Sequence, residues 1–484
     1  MREDLIAERE RKLARLREAG IDPYPAKTPK SITIGEFLGE FIKLARSTSQ
    51  STVRGRIVAH RDQGGVVFLD LRDESGEMQA VLKKGVTKDY ALWKEVLDRG
   101  DFIAVKGKAF LTKRGAKSVE VKAVTMLSKS VRPVPTTFYG LKDTEVLLRQ
   151  RYLDLIANPE LKELFYKKSK FWQATRSALL KEGFLEVETP VLEAVPGGAE
   201  AEPFVTHYNA LNHDFYLRIS PELNLKRLMV GGFEKVFEIG RIFRNEGIDA
   251  EHLQDYTQME MYWAYQDYEG LMKFLEKMIK DVIKETTGGL TTTYDGHKIN
   301  WSKKWQKYDY GSLFKKETGL ELESSLKDLH AKAKQLKISQ VTPKTGKGRT
   351  IDLIYKKTVR PKLMQPGFLI NPPVDVEPLA KRMKSQSERV ERFQLVAGGT
   401  ELGKGFSELN DPADQRGRFE EQQRLRQAGD KEAQMFDYDY VEAMEYGMPP
   451  TAGFAYSERL FAVLMDRPVR ECVIFPAVRT KDEK

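Results

Sequence analysis

Phe243-Arg-Asn-Glu-Gly-Ile248, then His252, then Tyr256-Thr-Gln-Met-Glu-Met-Tyr262 put more ionic and polar residues into β-rich sequence than a structural sheet needs. Arg244 and Glu246 share strand parity, a loop intervenes, and Glu260 and Tyr262 alternate on a second strand. A hairpin of this pattern can turn a guanidinium, two carboxylates and a phenol onto one face. On its pattern alone, an exposed hairpin laced by salt bridges is the plainer reading. Two further segments decide against that reading once all three are taken together.

The first is Gly399-Thr-Glu-Leu-Gly-Lys-Gly-Phe-Ser-Glu-Leu-Asn410, where Glu401 alternates with Gly403 and Gly405. This parity predicts that the glycines clear space beside the acid. A carboxylate such as Glu401 near a triphosphate suits Mg²⁺, which prefers oxygen ligands. Asp411-Pro412 then reads as an N-cap and first helical residue, with the helix stopping at Gly429. The second is Pro449-Pro-Thr-Ala-Gly-Phe-Ala-Tyr-Ser-Glu-Arg-Leu460, in which Ser457 caps a helix carrying Glu458 and Arg459. A helix start beside an arginine can take phosphate, though a capped helix alone carries little information.

Around this centre the apolar pattern predicts an α+β domain on an antiparallel sheet flanked by helices. Leu161, Leu164, Phe165, Trp172, Leu179 and Leu180 mark one face of a long helix ending at Gly183. Tyr268 to Ile283 repeats the pattern, with Leu271, Met272, Leu275, Met278, Ile279 and Ile283 on one face. Between the two lie β-rich runs at 215–219, 236–243 and 256–265, and residues 310–360 read as a helical insertion. Toward the N-terminus, Val53–Val58, Val66–Leu71, Met78–Leu82, Phe102–Lys106 and Val119–Val124 are five expected strands, with a helix near Asp89–Leu97 after the third. That order is the order of an OB-fold barrel, whose open face commonly binds single-stranded nucleic acid. The expected divisions are an N-terminal helical extension at 1–50, the barrel at 51–130, a linker at 131–150 and the larger domain at 151–484. Residues 3–19 read as a surface helix whose basic side chains are either solvated or in reach of RNA.

The 484 residues carry a net charge of +9, from Lys+Arg 80 against Asp+Glu 71, a weak pointer to a polyanionic partner. Hydrophobic residues at 40% suffice for packed cores and exclude a disordered or collagen-like chain. The single cysteine, Cys472, excludes an intramolecular disulfide framework and a cysteine-cluster zinc site. No stretch reaches the ~18 consecutive apolar residues of a membrane span, and the first residues lack a signal-peptide core. The expectation is a cytoplasmic protein with no membrane partner.

The chain resembles class II lysyl-tRNA synthetases over nearly its whole length. The resemblance stands on Arg151-Tyr-Leu-Asp154, Phe184-Leu-Glu-Val-Glu-Thr-Pro190, Pro196-Gly-Gly-Ala199, Pro221-Glu222, Gly231-Gly-Phe-Glu-Lys-Val-Phe-Glu238, Phe243-Arg-Asn-Glu-Gly247 and Phe406-Ser-Glu-Leu-Asn-Asp411. It implies ATP-dependent activation of L-lysine and its transfer to tRNA(Lys), with Mg²⁺ as cofactor and a homodimer built on motif 1, which runs from the helix ending at Gly183 through Pro190. It also implies roles for individual residues. Arg244 would bridge the α-phosphate of ATP and the lysine carboxylate, and Glu246 and Arg459 would complete the catalytic set. Asn245, His252, Tyr256 and Glu401 would join these three on ATP, with Glu401 and Gln394 on the metal. Gly198, Glu222, Glu260, Tyr262, Phe406 and Glu408 would hold lysine together with Arg244, because a buried ammonium requires charge-assisted partners. The acidic pocket favours lysine over the aspartate and asparagine of related enzymes. In the barrel, Arg61, Phe68 and Gln79 would meet the anticodon, Phe68 by stacking; Phe68 as barrel core is the alternative, and Ala123 stands where the family has an acidic contact.

Four departures from the family pattern bear on activity. Lys404 replaces an asparagine beside the substrate, Gln394 a second metal-binding glutamate, and Glu202 an arginine, while Gly453–Arg459 lacks most glycines of motif 3 and is one residue short. A cation about 4 Å from a substrate ammonium costs on the order of 4 kcal/mol at a surface-like dielectric. The expected relief is a pairing of Lys404 with Glu408 or another acid, or a contact with the substrate carboxylate. A catalytically impaired or repurposed paralogue, binding tRNA or lysylating a protein, stays open beside the active ligase at this point, although the N-terminal barrel argues against the protein-lysylating form.

Overall fold

The computed structural model describes residues 2–134, 143–247, 253–429 and 432–478, which form two compact units, 1–140 and 141–484. In the first unit, β1 (Ser51–Asp62), β2 (Val66–Arg72), β3 (Glu77–Lys83), β4 (Phe102–Leu111) and β5 (Lys117–Ser128) close a barrel in the order β1-β2-β3-β5-β4. The short helix Tyr90–Val96 lies between β3 and β4, as expected. Alternation along β2 drives Val67, Leu69 and Leu71 into the core, so Phe68 stands outside it, only partly buried.

The first fifty residues are not a separate extension, because Leu16, Ile34, Phe37 and Phe41 are buried in the same core as the barrel strands. The helix Arg2–Glu18 also turns part of its basic face inward. The Arg9 guanidinium donates to the carbonyls of Arg99, Ser130 and Arg132, and the Lys12 ammonium to Asp98 at 2.8 Å. Those two groups satisfy buried carbonyls and a carboxylate and are not presented to RNA.

The second unit is built on an eight-stranded sheet. Its strands run, in spatial order, Gln306–Asp309, Gly367–Ile370, Arg392–Ala397, Thr400–Ser407, Thr451–Ser457, Asp255–Ala264, Lys235–Phe243 and Leu185–Glu186. The pairings are antiparallel except at the two edges, where Gln306–Asp309 and Leu185–Glu186 join parallel. The expected antiparallel sheet is therefore mixed at its margins. The helices Lys162–Lys181 and Tyr268–Thr287 cover one face over a core that contains Phe171, Leu275, Met278, Phe393 and Phe454. All six apolar residues assigned to the buried face of the second helix are buried. On the first helix Leu180 is 50% exposed and Phe171 takes the central core position instead.

The expected linker extends too far. Thr144–Arg149 is a helix of the second unit, and Arg470 pairs with its Glu145 at 2.7 Å. Residues 310–360 form the helices Tyr310–Thr318, Leu326–Gln335 and Lys347–Thr358, packed around Phe314, Leu329, Ile351 and Ile354. Asp411 caps the helix Pro412–Gln427 by accepting from Ala413 and Asp414 N–H groups.

Candidate active site

The face of the sheet away from the long helices opens into a pocket of about 950 Å³. Tyr256, Gln258, Glu260 and Tyr262 alternate along Asp255–Ala264 and line it together with Arg244 and Glu246 from the loop that precedes that strand. Arg244 does not continue the strand, which ends at Phe243; its guanidinium carbon sits 5.7 Å from the Tyr256 ring centroid. Asn245 is exposed and absent from the lining, with its backbone N–H held by the Glu202 carbonyl at 2.8 Å. His252 falls outside the described residues.

Glu260 is fixed from three sides. Its Oε1 accepts from Ser220 Oγ at 2.6 Å and Gln258 Nε2 at 2.7 Å, and its Oε2 from the Tyr262 hydroxyl at 3.0 Å. Burial, followed by the nearby Glu222, Glu260 and Glu408, keeps the Tyr262 phenol well above its usual range, so it remains a donor. Gly198 passes close to these groups with φ +84, and a Cβ there would sit 2.7 Å from Glu222 Cβ. Gly453, the motif 3 glycine that remains, is required sterically. A Cβ at that position would fall 2.3 Å from Glu408 Oε1 and 2.5 Å from the Tyr262 ring.

Sequence reading missed Lys226. Its ammonium is fully buried, one helical turn after Glu222, and contacts Glu222 Oε1 at 2.6 Å and Glu408 Oε2. It also lies 5.2 Å from the Phe406 ring centroid. Burial pushes the Glu222 carboxyl up to about 7 and that of Glu408 well above its usual range, against the pull of Lys226. The i, i+4 spacing of Glu222 and Lys226 was readable in the sequence, but it is the spacing of an ordinary helix-surface pair. Only the sheet brings Glu408 to it.

Lys404 pairs with neither Glu408 nor any group reserved for substrate. Its ammonium binds Glu377 Oε2 at 2.9 Å, and Arg392 Nε meets the same oxygen at 3.0 Å. Although burial opposes its charge, Lys404 and Arg392 hold the Glu377 carboxyl below its usual range. Glu377 lies beyond a 3₁₀ turn at Val374–Val376, where no strand or helix pattern signals it.

The parity reading of Glu401 is also corrected. A β-bulge between Leu395 and Val396 pairs Leu395 with Gly403 but Val396 with Glu401. Glu401 therefore joins Gln394 and Lys404 on the pocket side, with Gln394 Nε2 donating to Glu401 Oε2 at 2.7 Å. Gly403 and Gly405 instead clear room for Phe454 and Phe393 and for the neighbouring strand's carbonyls. The buried Gln394 Oε1 has no hydrogen-bond partner. An orphaned amide oxygen beside a carboxylate is a donor pair that fits Mg²⁺. Arg459 lines the pocket, and its backbone N–H is capped by Ser457 Oγ at 3.3 Å.

In the barrel unit Arg61 and Phe68 are register partners across β1 and β2, and Asp70 and Gln79 across β2 and β3. Arg61 is already engaged by Asp70, with two bonds of 2.7 and 2.9 Å. Gln79 Oε1 accepts from Ser118 at 3.2 Å, which leaves Phe68 as the apolar platform of this outer face.

Residues 143–479 match the family model of class II tRNA synthetases (D, K and N), and residues 51–127 that of the OB-fold nucleic acid binding domain. The lysine–tRNA ligase of Moorella thermoacetica is 43% identical, with 99% of each chain covered. Its counterpart from a Roseiflexus species is 42% identical at the same coverage. That of Thermotoga maritima is 40% identical, covering 99% of this chain and 97% of its own.

Proposed function

The chain belongs to the class II tRNA synthetases of the D, K and N group, and we infer from that premise and from the pocket that it is a lysine–tRNA ligase. It joins L-lysine to tRNA(Lys) at the expense of ATP. The observation that carries the amino-acid assignment is the acidic end of the pocket, where Glu222, Glu260 and Glu408 converge within reach of Arg244. Aspartate would bring a fourth carboxylate into that set, whereas lysine brings two ammonium groups.

Arg244 draws the lysine carboxylate and the α-phosphate of ATP together and offsets the charge of both. A carboxylate oxygen attacks the α-phosphorus, the bond to the β-phosphate oxygen breaks, and pyrophosphate leaves. The carboxylate is already a nucleophile, so no general base is needed. In the second step a hydroxyl of the terminal adenosine attacks the activated carbonyl, AMP leaves, and the hydroxyl proton goes to the departing phosphate. Tyr256 supports adenine stacking, and Glu246 and Arg459 flank the nucleotide. Class II synthetases use ATP with Mg²⁺; here Glu401 and Gln394 Oε1 would hold the ion, which supplies charge neutralisation at the phosphates. Phe68, Arg61 and Gln79 form the anticodon surface.

Among the described residues no helix is long and apolar enough to cross a membrane. Exposed Leu180, Leu185, Leu192 and Val205 border the motif 1 segment and support a homodimer through it. Charging of tRNA(Lys) with labelled lysine tests the function directly. Lysine-dependent charging is expected, and charging with aspartate or asparagine in its place would overturn the reading.

A further inference from the structure

The acids assigned to the substrate's ammonium groups already hold an ammonium of the protein. Lys226 Nζ lies between Glu222 and Glu408, 5.2 Å from the Phe406 ring centroid and 6.0 Å from that of Tyr262. Its side chain is 0% exposed, so it cannot leave this position for solvent. Glu408 Oε1 has no hydrogen-bond partner, and Glu260 makes no ion pair among the described residues. The pocket is therefore partly satisfied from inside and partly open.

The charge count gives this arrangement a purpose. With lysine bound and all three acids ionised, Glu222, Glu260 and Glu408 supply three negative charges and Lys226 one positive, which leaves two. Without lysine, burial already favours the protonated forms of Glu222 and Glu408. Lysine carries two ammonium groups, and its carboxylate is met separately by Arg244. The neighbouring Glu377, bound by Lys404 and Arg392, forms a cluster with one net positive charge that acts on Glu222 through Lys404. With three ionised acids and no internal cation, the occupied pocket would hold one more buried charge than its substrate neutralises, and buried charges that lack partners are strongly disfavoured.

We propose that Lys226 is a specificity-determining positioning residue: its ammonium orients Glu222 and Glu408 and trims the acid pocket to the charge of a diammonium amino acid. The inference rests on the lysine reading above. The titration of the pocket agrees with it. Burial followed by Lys226, Glu260 and Lys404 acts on Glu222, and burial followed by Lys226, Glu222 and Glu377 on Glu408. Tyr440 from the helix Tyr438–Glu445 and Tyr262 from the sheet also face the group. In that setting Lys226 is the nearest influence favouring the carboxylate forms. Its removal moves both carboxyls further up, so a proton is retained where a substrate ammonium should bind. Raising the pH removes that proton and restores part of the binding.

The test is steady-state ATP–pyrophosphate exchange by the full-length protein, with Lys226→Met, Lys226→Gln and the double variant Lys226→Met/Glu222→Gln compared from pH 6.5 to 8.5. Wild-type exchange with lysine is measured first, and its absence would remove the lysine reading itself. The Michaelis constant for lysine is expected to rise at least tenfold at neutral pH in both single variants and to fall as pH rises. That for ATP should stay within about threefold. The double variant, which again leaves two negative charges, should recover much of the lysine affinity and lose the added pH dependence. If Lys226→Met fails to fold, Lys226→Gln, which keeps a hydrogen-bond donor, carries the comparison. An unchanged lysine constant with a flat pH profile overturns the proposal. So does a double variant no better than Lys226→Met in lysine affinity: recovery of the melting temperature alone is the behaviour of a purely structural ion pair.

Discussion

At the residue scale, the proposed selection of lysine would rest on a few buried acids, Glu222, Glu260 and Glu408. Glu408→Gln removes a charged acceptor from the ammonium site, a loss of about 1.5–3 kcal/mol. The Michaelis constant for lysine should rise by one to two orders of magnitude, with that for ATP nearly unchanged; an unaltered lysine constant in an active variant would move the pocket elsewhere. Lys404 is relieved by an acid other than Glu408, one of the expected outcomes: Glu377 holds it. In Lys404→Asn, Glu377 keeps Arg392, and the pocket loses a cation that repels the substrate. Lysine affinity should therefore hold or improve, and a large loss would mean that Lys404 contacts the substrate carboxylate. Sequence pointed to Arg244, Glu260, Tyr262 and Glu408 through the family pattern, and strand parity adds to it for Glu260 and Tyr262. Lys226 and Glu377 were not legible. Each becomes significant only through a partner on a distant strand, and neither spacing nor composition reports that contact.

At the element scale, strong periodicity was the dependable signal. The helix Tyr268–Thr287 follows its apolar stripe from an Asp267 cap to Gly288, whose φ of +83 only glycine adopts readily. Parity failed where a strand changed its count: the bulge at Leu395–Val396 carries Glu401 to the pocket face, and no local residue choice announces it. In the barrel the alternation of β2 was enough to place Phe68 outside the core. Phe68→Ala should therefore leave lysine-dependent pyrophosphate exchange near normal while tRNA charging falls. The expected loss is one base stack, about 1–3 kcal/mol. A parallel fall in exchange, or a lowered melting temperature, would return Phe68 to a structural role. Arg61 is a weaker site for such a test because Asp70 already occupies its guanidinium.

At the scale of the whole molecule, the two units were foreseen as a barrel followed by a larger α+β domain, and the division between them at 140 and 141 falls inside the expected linker at 131–150. The first fifty residues read as an appendage because their helices are short and highly charged, yet their apolar residues complete the barrel core. The exposed apolar residues beside motif 1 carry a prediction of their own. Mass measurement at micromolar concentration should give twice the 55.4 kDa of one chain, and a monomer at that concentration would remove the dimer. The central claim is narrower: a three-acid pocket, one of whose charges is taken by Lys226, activates lysine. ATP–pyrophosphate exchange by the unmodified protein, run with each of the twenty amino acids in turn, tests it most directly. Exchange driven by lysine at least a hundredfold above aspartate and asparagine is the predicted result. Comparable exchange with either of those two, or none with lysine, would contradict it.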